Sequence, residues 1–358
     1  MSRSAASYWT AMTRTVRLAG IFLSRKVYMR SINKVVTRCT AALVAWTLAW
    51  PVWAQAPAQQ PAQQSDQQQV PTIKSQVSLV NIFATVRDKK KHIVPTLKQE
   101  DFRVFENDQQ QKIAFFTAEK TLPITLGLLI DTSGSEQNRL PAEQDAASRF
   151  LNQVLRKGDE AMVVSFDLDV DMLSDFTDDR AQLQRAIHHA QINAAGPMVT
   201  PGTLPSGPNG THMYDAIWLI CGQKLATEAG RKALVIVTDA EDFGSKVTVN
   251  EAIEAAQRAN TVVHFLLVHD PGQGWRPDIA HKIADQTGGR VIEVSSEKHL
   301  QEAFDQISEE LRSEYTIGYY STNAARDGTF RKIKVETTDK ELKVLARKGY
   351  YAPKDGPA

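Results

Sequence analysis

Leu126-Gly127-Leu128-Leu129-Ile130-Asp131-Thr132-Ser133-Gly134-Ser135 is the stretch on which the reading of this chain turns. An apolar run that stops at a carboxylate reads as a strand buried on both faces and ending in a polar loop. Asp-x-Ser-x-Ser then places one carboxylate and two hydroxyls on a tight turn at the carboxyl end of that strand. In open α/β sheets ligands bind at that edge, beside the point where strand order reverses.

Working outward, strands and helices alternate. The periodicity predicts a strand over 124–130 and a helix over 141–156, with Ala146, Phe150, Leu151 and Val154 on one side. It continues with a strand over 161–166, a helix over 180–190, a Gly/Pro-rich loop over 194–210 and a helix over 212–228. Strands follow over 233–238, 261–268 and 291–294, with helices over 249–259, 277–286 and 297–313. Alternating β and α with apolar strands predicts a doubly wound, mostly parallel sheet covered by helices on both sides.

The flanks read as β structure. Residues 77–86 are rich in strand formers on both faces, and Asp88-Lys89-Lys90-Lys91 is a solvated turn. Phe102, Val104 and Phe105 lead into Asn107-Asp108, and Ile113, Phe115 and Phe116 are expected to complete a hairpin. Strands are expected again over 315–321, 329–336 and 342–346. Each flank alone has few strands, and small open sheets are marginal, so the two are expected to pack as one small β-sandwich with the α/β unit inserted between them. The expected divisions are a signal peptide at 1–54, a disordered Gln/Pro/Ala-rich linker at 55–72, a β segment at 73–120, the α/β domain at 121–313, a second β segment at 314–353 and a tail at 354–358.

The candidate chemistry is a set of oxygen donors from separate points in the chain. A second strand, ending at Thr238, also runs into a carboxylate, Asp239, and Gly210-Thr211 precedes a helix. Asp131, Ser133, Ser135, Thr211 and Asp239 are all hard donors, which suit magnesium, manganese or calcium rather than zinc or copper. Other readings exist for each. Ser133 to Ser135 also suits a turn and helix cap, Thr211 suits an N-cap, and Thr200 and Thr203 compete for its role. Glu241 and Asp242 read as loop charges, and His269-Asp270 as a structural rim on the same edge.

Asp-x-Ser-x-Ser, followed by a Thr and by an Asp at a later strand end, resembles the metal-ion-dependent adhesion site of von Willebrand factor A domains. The resemblance covers the middle half of the chain and implies Asp131, Ser133, Ser135, Thr211 and Asp239 as metal ligands. Leu97-Lys98-Gln99-Glu100-Asp101-Phe102 and Arg347-Lys348-Gly349-Tyr350-Tyr351 resemble the flanks of secreted bacterial VWFA-related domain proteins. Two positions depart from the family. Ala240 stands where a Gly usually follows the second Asp, which is unfavourable if φ is positive there, and Asn209-Gly210 stands in place of Gly-Gly.

Composition bounds the remaining possibilities. The chain has 358 residues and a net charge of +1. Residues 1–54 carry eight Lys and Arg and no acid, so removing that segment takes +1 to −7. A mildly acidic protein is a poor partner for nucleic acid. Arg30, Lys34 and Arg38 precede an uncharged run from Cys39 to Trp53, and Val52-Trp53-Ala54 reads as a cleavage site. Met29 is an alternative start that leaves a signal of compact shape. The alternative to cleavage is a retained membrane anchor, for which the run is short and contains Pro51. The expected destination is therefore periplasmic, cell-surface or secreted. Cys221 is then the lone cysteine, expected as a buried small hydrophobe, and His188-His189 is expected on the surface.

Enzyme motifs are absent: no Gly-x-Ser-x-Gly elbow, no Gly-Lys-Ser/Thr phosphate loop and no His-Glu-x-x-His. The expectation is a protein-binding module, not an enzyme, that uses a divalent ion to engage a partner's acidic side chain. The alternatives are a metal-independent structural or assembly scaffold and a metal-dependent hydrolase using Asp131 and Asp239.

Overall fold

The computed structural model describes residues 79–118, 122–192, 210–268 and 274–354. The expected leader, linker, Thr200, Thr203 and His269-Asp270 lie outside these residues. Among the described residues no helix is long and apolar enough to cross a membrane.

The chain begins with β1 (Leu79–Arg87), β2 (Phe102–Glu106), β3 (Gln109–Gln111) and β4 (Ile113–Thr117). It then enters the α/β unit with β5 (Ile124–Asp131), α1 (Leu140–Val154), β6 (Glu160–Phe166), β7 (Val170–Thr177) and α2 (Arg180–His189). The unit continues through α3 (Met213–Leu219), β8 (Arg231–Thr238), α4 (Val249–Arg258), β9 (Thr261–Val268), α5 (Pro277–Thr287), β10 (Val291–Val294) and α6 (Glu297–Leu311). It leaves through β11 (Tyr315–Tyr320), β12 (Phe330–Thr337), β13 (Lys343–Ala346) and β14 (Gly349–Tyr351).

The central sheet has the order β10-β9-β8-β5-β6-β7 and is parallel except for β7, which runs antiparallel to β6 at one edge. This edge strand corrects the strict β/α alternation expected from sequence. The sheet is doubly wound. Leu126, Leu128 and Ile130 of β5 face α1, α2 and α6 on one side. Leu129, with Leu234 and Ile236 of β8, faces α3, α4 and α5 on the other. Full burial of each such side chain is worth about 1.5–3 kcal/mol. β5 lies in the middle because both its faces are apolar and Gly127 lets a neighbour close in: a β-carbon there would sit 2.5 Å from Leu234 Cδ1 and 3.8 Å from Ile220 Cγ2.

Two four-stranded antiparallel sheets, β13-β1-β11-β4 and β14-β12-β2-β3, share one core. Val80, Ile82, Ala84 and Val86 of β1 meet Phe102, Val104, Tyr315, Ile317, Tyr319, Ile333 and Tyr350 there. Strands from before and after the α/β unit therefore pair in both sheets: β1 with β11, and β2 with β12. The expected hairpin from 102 to 116 is corrected. Asn107 and Asp108 both have positive φ (46° and 64°), so the chain reverses within two residues and pairs Glu106 with Gln109. The partner of β2 is thus the glutamine strand β3, and β4 crosses to the other sheet to pair with β11.

The predicted single helix over 212–228 is also corrected. α3 ends at Leu219, a π turn covers Ile220–Lys224 and a 3₁₀ turn Leu225–Thr227.

The sandwich packs at the amino-terminal end of the central sheet. Arg231, at the start of β8, donates to Glu314 Oε2 at 2.7 Å. Arg258, at the end of α4, lies over the Tyr351 ring, 4.1 Å from its centroid, and Lys348 N–H donates to the Gln286 carbonyl at 3.1 Å. The carboxyl ends of the strands point the other way, and the candidate site is there.

Candidate metal centre

β5 and β8 are parallel neighbours with Ile130 opposite Val237, so the next residues, Asp131 and Thr238, stand side by side. Thr238 Oγ1 donates to Asp131 Oδ2 at 2.6 Å, and the Ser133 N–H donates to Asp131 Oδ1 at 2.9 Å. Both carboxylate oxygens are thereby fixed in direction. Ser133 and Ser135 follow on the same turn with their Oγ atoms 3.0 Å apart. Asp239, one residue beyond Thr238, is held by the Glu241 N–H donating to Oδ1 at 2.9 Å.

Ala240, which follows, has φ 61°. The position does take the left-handed region, and an alanine there carries a local cost of about 1–2 kcal/mol. The adjoining bonds hold it: Ala240 N–H donates to Thr238 Oγ1 at 3.0 Å, and the methyl is fully buried.

Thr211 is brought to the same edge by a two-bond bridge with Phe243, each N–H to the other's carbonyl at 3.0 Å. Next to it, His212 N–H donates to the Asp167 carbonyl at 2.7 Å, and Thr132 Oγ1 donates to Asp167 Oδ2 at 3.0 Å. The loops after β5, β6 and β8 are thus knitted together around the site. Asp242 serves the scaffold, accepting from Tyr214 N–H at 2.9 Å and Ser245 Oγ at 2.6 Å. Of the other residues singled out from sequence, Cys221 is buried, its thiol pushed up to about 12 by burial, and His188 and His189 are exposed.

Two acidic residues not foreseen from sequence complete the picture. Glu136 ends the 3₁₀ turn Gly134–Glu136, whose Glu136 N–H donates to the Ser133 carbonyl at 3.0 Å. The tight turn swings the side chain inward, and Glu136 is fully buried. One carboxylate oxygen from each of Asp131, Glu136 and Asp239 lies within 4.8 Å of the others. Glu143, one turn into α1, is buried beside Glu136.

Four acids at one place repel ionisation. Burial first, then the neighbouring Asp239, raises the Asp131 carboxyl to about 7. Burial and the fields of Glu143, Asp131 and Asp239 push Glu136 far up, and burial likewise raises Glu143. Arg139 Nη1 lies 3.8 Å from Glu136 Oε2, beyond hydrogen-bonding reach.

The donor set fits a hard divalent cation. Two oxygens about 2.4 Å from one calcium-sized ion can be at most about 4.8 Å apart, and the three carboxylates already meet that limit. Hydroxyls at Ser133 and Ser135 add oxygen donors, and among the described residues no sulfur or imidazole belongs to the cluster. Clustered buried carboxylates that outnumber the cations beside them are costly, and a bound divalent ion would relieve that cost.

A doubly wound sheet with an Asp-x-Ser-x-Ser turn at its carboxyl edge, opposite a second strand-end Asp, places these donors at a topological switch point, where open α/β sheets bind their ligands. Residues 126–242 match the family model of the von Willebrand factor type A domain, and this region is a domain of that type. Among solved structures, the chain is similar to the protein titled von Willebrand factor type A from Catenulispora acidiphila, at 13% identity over 77% of this chain and 74% of that one, with a TM-score of 0.45. It is also similar to the conserved hypothetical protein BatB from Bacteroides thetaiotaomicron, at 19% identity over 53% of this chain and 100% of that one, TM-score 0.42. A third is proximal thread matrix protein 1 from the mussel byssus with a zinc-occupied MIDAS motif, at 14% identity over 57% of this chain and 49% of that one, TM-score 0.44. No curated protein matches the chain.

Proposed function

We propose that this is an exported protein-binding module whose type A domain holds a divalent cation at Asp131, Ser133, Ser135, Thr211 and Asp239 and engages an acidic side chain of a protein partner through it. Magnesium is the leading candidate, with manganese or calcium as substitutes. The observation that carries this reading is the convergence of Asp131 and Asp239, from two different strands, on one point within 4.8 Å.

A bound cation supplies an electrophilic vertex for an incoming carboxylate. The chain's own residues do the rest. Thr238 and the Ser133 N–H orient the Asp131 carboxylate, and Asp239 is aimed by the Glu241 N–H. Ser135 is only half-buried, so the outer side of the site is open to an incoming group. Phe243, bonded to Thr211 and 71% exposed, offers an aromatic anchor at the rim. Nothing in the arrangement calls for a nucleophile or a general base, which favours recognition over turnover. Export rests on the basic, then apolar, amino-terminal segment.

Calorimetry with magnesium and manganese on the full chain tests the metal step. Uptake by the wild type that is lost in Asp131→Ala supports it, and equally little uptake by both refutes it. A pull-down from the exported fraction, with and without chelator, tests the partner step. Capture that survives chelator and Asp131→Ala alike refutes metal-dependent engagement and leaves a scaffold role. Phe243→Ala is expected to weaken capture while leaving metal uptake unchanged.

A further inference from the structure

Glu136 is set apart from the other acids of this domain by three observations. Its side chain is buried to 1% exposure. Its carboxylate oxygens meet no backbone donor; their neighbours are the Glu143 carboxyl and Arg139 Nη1, 3.8 Å from Oε2. One of those oxygens lies within 4.8 Å of both Asp131 and Asp239. Ionising a carboxyl buried beside two other acids costs several kcal/mol, far more than ionising a solvated glutamate on a loop. Its placement is also local and built in: the 3₁₀ turn Gly134–Glu136, capped by Ser133, carries Glu136 into a buried position.

We propose that Glu136 is a direct ligand of the cation, so that the chain presents three carboxylates to it in place of the two supplied by Asp131 and Asp239. The inference rests on the metal-site reading above and goes beyond the five-residue ligand set. Asp131 and Asp239 are presented from the ends of β5 and β8, and Glu136 from the 3₁₀ turn after Ser133. Glu143 is buried beside it. Three carboxylates carry one negative charge more than a divalent ion neutralises. Such a site holds its ion tightly and favours higher charge, and it weakens the pull on an incoming partner carboxylate. The domain therefore trades strength of partner capture for retention of its ion.

The test is calorimetric titration of the full chain with manganese, comparing wild type, Asp131→Ala and Glu136→Gln. The expected result is uptake by the wild type, loss in Asp131→Ala and affinity at least about tenfold weaker in Glu136→Gln. Uptake by Glu136→Gln within about twofold of wild type, with Asp131→Ala still inactive, overturns the Glu136 assignment and leaves the two-carboxylate reading standing. No uptake by the wild type overturns both. Parallel titrations with terbium and calcium, ions of similar size and different charge, read the ligand charge itself. The terbium preference is expected to fall in Glu136→Gln, and an unchanged preference counts against direct ligation. If circular dichroism finds Glu136→Gln unfolded, Glu136→Asp replaces it: the charge stays while the oxygens withdraw by one methylene, and the same tenfold loss is expected, with affinity within about twofold overturning the assignment.

Discussion

In chelator, the stability of Glu136→Gln relative to the wild type is expected to rise with pH. In the folded chain burial and the neighbouring Glu143, Asp131 and Asp239 hold the Glu136 carboxyl protonated past neutrality. In the unfolded chain it titrates near its ordinary value of about 4.3. The sign follows from proton counting. A group whose folded pKa is raised binds more protons folded than unfolded across that interval, so the stability it contributes is complete below the unfolded pKa and drains away as pH rises. Between about pH 5 and about pH 7.5 the loss is about 1.4 kcal/mol per pH unit, or about 3 kcal/mol in total. Gln does not titrate and loses nothing over the same interval. Urea denaturation of both chains in EDTA at the two pH values measures the difference directly. Any fixed cost of the buried amide cancels, because it is the same at both. A stability gap that changes by less than about 0.5 kcal/mol between the two conditions refutes the claim that this carboxyl is buried and held neutral.

Other perturbations probe the scaffold. His264 on β9 is fully buried, with neither ring nitrogen hydrogen-bonded, and burial pushes it down to about 4; its folded pKa is depressed, so the fold is expected to lose up to about 3 kcal/mol as pH falls from about 6.5 to about 4, and His264→Leu flattens that acid limb in thermal melts. Gly289→Ala drives a β-carbon into the Val263 carbonyl, which cannot move without disturbing β9; a loss of about 3 kcal/mol in urea denaturation is expected. Asp159 is buried and takes bonds from Ile124 N–H at 2.9 Å, Arg156 N–H at 2.7 Å and the Arg312 guanidinium; Asp159→Asn leaves Arg312 without its counter-charge, and a loss of about 3–5 kcal/mol is expected from the same assay.

Sequence patterning revealed the parts of this fold in which burial alone dictates the residues. β5 and β9 are mostly apolar on both faces, and their ends differ little from the expected ones: 124–131 against 124–130, and 261–268 in both. It failed where a neighbour decides. β7 reads Val170-Asp171-Met172-Leu173-Ser174-Asp175-Phe176-Thr177, an edge strand whose carboxylates face solvent and break the apolar run. The three glutamines of β3 have little strand propensity and are carried into the sheet by the turn before them. At the site, the two strand-end aspartates were legible because each interrupts an apolar strand. Glu136 was not: a glutamate on a polar loop normally lies in water, and only the 3₁₀ turn buries it. The unfavourable backbone at Ala240 was legible, because an alanine stood at a position the resemblance reserved for glycine.

The α/β unit leaves and rejoins the sandwich through neighbouring strands, with Thr117 of β4 paired to Thr316 of β11. A pull on the α/β unit is therefore shared by two covalent connections drawn in the same direction. The ladder between those strands travels with them and is not peeled apart, and the load passes in shear to β1, which flanks β11 along six residue pairs. A domain hung in this way resists mechanical extraction better than one tethered by a single chain end.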